Sequence, residues 1–213
     1  MALSPSKPYS RTLTSREKSG DKINLKRDDT THPLYVTITS LERPKDILSL
    51  PAYATGGISI DRSFQEIDES RGVSETGEYL YQKPIIDGVF HKGKLYRVTL
   101  RASLPSYREM SWAHLSIEDF FPGGWRPINS IFQTESALEA DRGGDSYWWD
   151  HIESRDDRLL AHMSYGYGDT RTYTYYFRPE SLGTYLLPPA TAYFMYRPEV
   201  HSYTQYQKVK VIE

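Results

Sequence analysis

The sequence predicts an all-β fold, a β-sandwich of short strands, and three observations carry that expectation. Apolar and polar residues alternate with period two over 95–104, where Tyr96, Val98, Leu100, Ala102 and Leu104 interleave with Arg97, Thr99, Arg101 and Ser103. Alternation of this kind gives a strand one apolar and one polar face. Glycine and proline punctuate the chain so closely that the elements between them are short. Only QTESALEAD at 133–141 has helix-forming composition, so one or two helical turns in a connection are expected there and no long helix elsewhere.

Taken in order, residues 1–30 form a polar lead-in, rich in Ser, Thr, Lys and Pro, that reads as a linker or a first edge strand. The β domain follows over 31–213. Within it, strands are expected at PLYVTITS from Pro33, GISIDRSF from Gly57, the 95–104 run, RLLAHMSYGY from Arg158, TYTYYF from Thr172 and YQKVKVI from Tyr206. Turns are expected at Arg43-Pro44-Lys45, Thr55-Gly56-Gly57, His91-Lys92-Gly93, Pro122-Gly123-Gly124, Arg142-Gly143-Gly144 and Pro188-Pro189. Many short strands without a long helical pattern indicate a sandwich.

Composition excludes several functions. A chain of 213 residues can bury roughly 70–75% of its unfolded surface and needs no disulfide or metal to hold it together. The absence of cysteine removes thiolate nucleophiles, Cys-based zinc sites and iron–sulfur ligation. Twenty-six basic and 28 acidic side chains leave a net charge of −2, with +3 on residues 1–30 and −5 on the rest, which gives no reason to expect a nucleic-acid partner. No apolar run follows Met1 and none is long enough to span a bilayer, so neither a signal peptide nor membrane insertion is expected of these residues.

Candidate catalytic groups are sparse. The carboxylates of IEDFFPGGW (117–125) and ESRDDR (153–158) suggest a glycosidase pair, but on a strand Asp156 and Asp157 would face opposite sides of the sheet and could not flank one bond. On a strand, Arg155 would share a face with Asp157, and Asp156 with Arg158. In a turn, the acids would bond local amides and the two arginines. Either way Glu153, Arg155, Asp156, Asp157 and Arg158 read as a structural network, and no catalytic residue is assigned. His32, His91, His114, His151, His162 and His201 lack metal-ligand spacing, so neither metal nor cofactor is expected. Trp148, Trp149, Tyr165, Tyr167, Tyr173, Tyr175 and Tyr176 could instead stack on sugar rings, and a glycan-binding module is therefore the alternative function.

One segment resists a purely local account. YLLPPATAYFMYRPEV, 185–200, sets an apolar Phe-Met-Tyr run between a double proline and Arg-Pro. Such a run can be a core strand, a sugar-stacking face or a plug over a neighbouring domain. The flanking prolines limit pairing, so Met195 and Tyr196 are expected at a strand end or edge, with Arg197-Pro198 ending the strand.

The order of six pieces then carries a resemblance. GISIDRSF (57–64), GVFHKGKLYRVTL (88–100), SIEDFFPGGWRPIN (116–129), HIESRDDRLLAHMS (151–164), YYFRPESLGTYLLPP (175–189) and MYRPEV (195–200) resemble the C-terminal macroglobulin-like domain of bacterial alpha-2-macroglobulins, over about 33–212. The resemblance implies a Greek-key β-sandwich of the receptor-binding-domain type, with one short helix in a connection. It implies a non-catalytic module of a periplasmic, often lipid-anchored protease trap, which reaches target proteases only through the full-length protein. In members that carry a thioester, a Met-Tyr pair of this domain covers it, and the matching residues are Met195 and Tyr196. In members without one, the same pair would be an interdomain contact with the corresponding neighbour.

Overall fold

The computed structural model describes residues 44–72, 74, 79–105, 114–128, 149–164 and 170–213. The expected lead-in over 1–30, the strand from Pro33, the helix at 133–141 and the turn at 142–144 lie outside the described residues. Pro44–Glu213 forms one compact unit. Its strands are β1 (Tyr53–Ala54), β2 (Ser59–Ile67), β3 (Gln82–Ile85), β4 (Val89–His91), β5 (Leu95–Ser103), β6 (Leu115–Phe120) and β7 (Trp125–Ile128). There follow β8 (His151–Ser154), β9 (Arg158–Met163), β10 (Thr170–Pro179), β11 (Gly183–Leu187), β12 (Ala190–Phe194), β13 (Arg197–Tyr203) and β14 (Gln207–Ile212). Ile47–Ser49 and Glu69–Arg71 are 3-10 turns, each capped by the preceding aspartate, Asp46 or Asp68.

The strands make a six-stranded sheet in the order β1-β13-β12-β6-β9-β8, a five-stranded sheet β3-β2-β5-β10-β7 and a three-stranded sheet β11-β14-β4. The chain passes between the two large sheets at β1 to β2, β5 to β6, β6 to β7, β7 to β8 and β9 to β10, as in a sandwich whose faces share one core. β5 lies at the centre of its sheet, paired with β2 on one side and β10 on the other. The period-two pattern read from its sequence is realised there: Tyr96, Val98, Leu100 and Ala102 are fully buried. Leu95, on the opposite face, joins Ile67, Tyr79 and Tyr176 in a small second cluster.

Aromatic rings fill the main core. Trp125 stacks on Phe177 with ring centroids 3.9 Å apart, while Phe64, Phe90 and Tyr96 surround the pair, mostly edge to face. Pro122-Gly123-Gly124 turns the chain from β6 into β7 and so delivers Trp125 to this cluster.

One polar group crosses the core. Asp119 on β6 is completely buried and receives Arg62 of β2 at 2.5 Å on one oxygen and the Tyr175 hydroxyl of β10 at 2.7 Å on the other. The second terminal nitrogen of Arg62 donates to the Pro188 carbonyl at 2.8 Å, in the link from β11 to β12. Burial pushes the Asp119 carboxyl above its ordinary range, and the Arg62 charge and the Tyr175 hydrogen bond oppose that push. Burial, with the Asp119 charge second, raises the Tyr175 hydroxyl well above its usual value, so it keeps its proton and donates. The network joins both large sheets through side chains that water does not reach.

The outer face of the six-stranded sheet carries a row set by register: His201, Tyr193, Ser116, His162 and His151 are successive cross-strand partners. His162 Nδ1 lies 2.8 Å from Ser116 Oγ, and its ring is stacked near that of His151 with centroids 6.1 Å apart. Burial, then the neighbouring His151, lowers the His162 pKa from 6.5, against the pull of Glu153 and Glu118.

Two stability predictions follow from these contacts. Asp119→Ala strands a buried guanidinium and is expected to cost about 3–5 kcal/mol in denaturant unfolding, whereas the Arg62→Met, Asp119→Leu double variant recovers most of that loss; equal loss in both would contradict the pairing account. His162 binds its proton less readily folded than unfolded. Its contribution is therefore present above pH 6.5 and falls as the pH drops below that value toward the folded pKa. Urea melts across this range should show the fall, and His162→Gln should flatten it.

Candidate functional site

The segment at 185–200 divides sharply between inside and outside. Within β12, Ala190, Ala192 and Phe194 are fully buried, and Thr191 and Tyr193 face outward. Phe194 pairs with Leu115 of β6 and with Arg197 of β13, so Met195 and Tyr196 are the two residues of a hairpin turn. They stand clear of the core, with Met195 49% and Tyr196 77% exposed. Phe194 thus anchors the hairpin while its tip projects an apolar pair into solvent.

Two details of the expectation need correcting. β12 is not an edge strand: it lies between β13 and β6. Pro188-Pro189 precede the strand rather than interrupt it, so its amides remain free to pair on both sides. Arg197-Pro198 does not end the run but opens the return strand. The register between β12 and β13 slips there, Phe194 opposing Arg197 while Tyr193 opposes His201. Pro198 falls within the bulged stretch, where no donor is called for.

The bulge is held from several directions. Pro198 O lies 2.9 Å from His201 Nδ1, and Arg197 pairs with Glu199 at 3.1 Å. Val200 turns inward against Gly56, which sits at φ +63°, and a Cβ built there would meet the Val200 side chain at 2.6 Å. No described non-glycine residue has positive φ, so the Met195-Tyr196 turn is not one of the primed types whose twist matches paired strands. The adjacent bulge absorbs that mismatch. On β6's side, the Met195 amide donates to His114 O at 2.9 Å, and the His114 ring meets the Tyr196 ring at 5.2 Å with planes 77° apart.

The charged motif is a second hairpin. Residues 155–157 turn β8 into β9, closed by the Arg155 amide on Arg158 O at 2.8 Å. Arg155 pairs with Glu153 at 2.8 Å; Arg158 holds Asp157 at 3.1 Å and Glu118 at 2.8 Å and lies 4.5 Å over the Phe120 ring. Asp156 is exposed at the apex. The Arg155–Asp157 and Asp156–Arg158 pairs of the strand alternative do not form, because these residues occupy a turn. Arg155 holds the Glu153 carboxyl, and Arg158 the Asp157 carboxyl, below the usual range.

The remaining candidates do not converge. Trp149, Tyr175 and Tyr176 are buried, and the Trp149 indole donates to Thr172 O at 3.1 Å, so they are spent on packing. Trp148, Tyr165 and Tyr167 lie outside the described residues, as does His32. Among the described residues no three His, Asp or Glu side chains are placed to share a metal ion. An open, apolar cleft of about 260 Å³ on the outer sheet face is lined by Thr191, Tyr193, Pro198, His201, Ser202 and Tyr203. It holds no carboxylate.

Comparison with known proteins bears on this hairpin-bearing sandwich. The Bacterial Alpha-2-macroglobulin MG10 domain matches residues 57–199. Among solved structures, trypsin-activated alpha-2-macroglobulin from Escherichia coli is similar at 21% identity and a TM-score of 0.56, over 77% of this chain and 11% of that one. Salmonella alpha-2-macroglobulin reacted with methylamine is similar at 18% identity and a TM-score of 0.54, over 78% of this chain and 10% of that one. Native E. coli alpha-2-macroglobulin from domain MG7 to the C-terminus is similar at 18% identity and a TM-score of 0.53, over 76% of this chain and 24% of that one. This chain therefore spans only about a tenth of the larger relatives and a quarter of the partial one. No curated protein matches it.

Proposed function

The chain belongs to the family of bacterial alpha-2-macroglobulin MG10 domains, and from that premise we propose that it is the non-catalytic C-terminal module of a periplasmic protease trap. In this reading it packs against a neighbouring domain of the parent through the β12–β13 hairpin, and where that neighbour carries a thioester it shields the bond until a protease cuts the bait region. The parent engages proteases; this domain keeps the trap set.

The observation that carries the proposal is the exposure of Met195 and Tyr196 at the tip of a hairpin rooted in the core by Phe194. A flexible thioether beside a rigid aromatic with a polar tip suits a contact that must keep water from a reactive carbonyl. An apolar pair at this position contributes little to the domain's own core and gains by being covered. Of the aromatic residues that a glycan platform would use, Trp149, Tyr175 and Tyr176 are buried in packing and Tyr173 is half-buried, which favours a packing role.

Where the full-length parent carries a thioester, the proposal is tested there. Tyr196→Ala is expected to speed methylamine attack on the intact thioester by about tenfold, the change produced by lowering a barrier by about 1.4 kcal/mol. The isolated chain should keep its stability within about 0.5 kcal/mol, as exposed positions usually do. A thioester as long-lived as in the wild type would overturn the shielding role.

A further inference from the structure

We propose that His114 is the positioning residue for Tyr196, fixing the pose in which the hairpin tip meets its neighbour; the functional meaning of that pose rests on the docking role proposed above. Tyr196 is 77% exposed at a turn, a place where a side chain would ordinarily sample several rotamers. Here one side of its ring is occupied. The His114 imidazole meets it at 5.2 Å with planes 77° apart, an edge-to-face arrangement that aromatic rings favour.

The backbone sets up this contact before either side chain is considered. Leu115 pairs with Phe194, and the next residues outward, His114 and Met195, are joined by the Met195 amide donating to His114 O at 2.9 Å. His114 therefore sits beside the turn whatever its side chain is, and the imidazole adds only the restraint on the Tyr196 ring.

What is presented is a tip on which Met195 is half-exposed and most of the Tyr196 side chain, apart from its contact with His114, is open to solvent. It fits a concave, apolar surface that excludes water. Ordering an exposed side chain on association has an entropic cost, and a ring already held in place avoids part of it, a difference of about three- to tenfold in affinity.

The test uses NMR on the 213-residue chain, without any neighbouring domain, so its outcome is independent of whether the docking role holds. In the wild type, nuclear Overhauser contacts between the His114 and Tyr196 rings and displaced Tyr196 ring shifts are expected. His114→Ala should bring those shifts to solvent-exposed tyrosine values, and His114→Phe should restore the displacement. The exchange rate of the Met195 amide should be the same in all three, because its acceptor is the backbone carbonyl of residue 114. Missing ring contacts in the wild type, unaltered Tyr196 shifts in His114→Ala, or no rescue by His114→Phe would each overturn the proposal. So would a Met195 amide that exchanges faster in His114→Ala, because the hairpin itself would then have moved.

Discussion

A guanidinium and a carboxylate that water does not reach must find each other, and Arg62 and Asp119 do so across the space between the two large sheets. Because Arg62 is on β2 and Asp119 on β6, the pair sets which parts of the two sheets face one another. Tyr175 from β10 takes the other carboxylate oxygen, and Arg62 also holds the Pro188 carbonyl. Asp119 is moreover the register partner of Ala190, the first residue of β12. The same polar cluster therefore fixes where β12 begins, and four residues later the strand delivers Phe194 to the core and Met195-Tyr196 to the surface. The apolar tip is an outcome of the interior, since its register is inherited from a buried ion pair at the other end of the strand.

How much of this was legible in the sequence differs by element. β5 and β9 could be read directly, since both alternate cleanly and each has partners on both sides. The turn between β6 and β7 was equally plain, because Phe-Pro-Gly-Gly-Trp has few other uses. At β12 the bracketing prolines do not limit pairing, because Pro188 and Pro189 stand outside the paired stretch and Pro198, within β13, falls in a bulge. A bulge depends on the register of two strands and has no signature in either one alone.

The site itself was only half visible. Met195 and Tyr196 stand out both from the proline-bracketed segment and from the family resemblance, but His114 is one of six scattered histidines, and only the pairing of β6 with β12 brings it to the hairpin. Asp119 was likewise hidden inside IEDFFPGGW, where it resembled a possible catalytic acid. Its partner Arg62 lies 57 positions away, a separation that no local pattern spans. The acids of ESRDDR were legible as structural groups because a carboxylate beside arginines in a short turn has partners at hand, and the actual pairings followed once the turn replaced the strand alternative.

The domain is thus a sandwich whose exposed apolar tip is held in register from within. The most direct measurement is the oxidation rate of Met195 by dilute peroxide, followed by mass spectrometry, in the isolated chain, in the intact parent and in the parent after bait cleavage. The account predicts fast oxidation in the isolated chain, marked protection in the intact parent and a return toward the fast rate after cleavage. Equal rates in the isolated chain and the intact parent would contradict it.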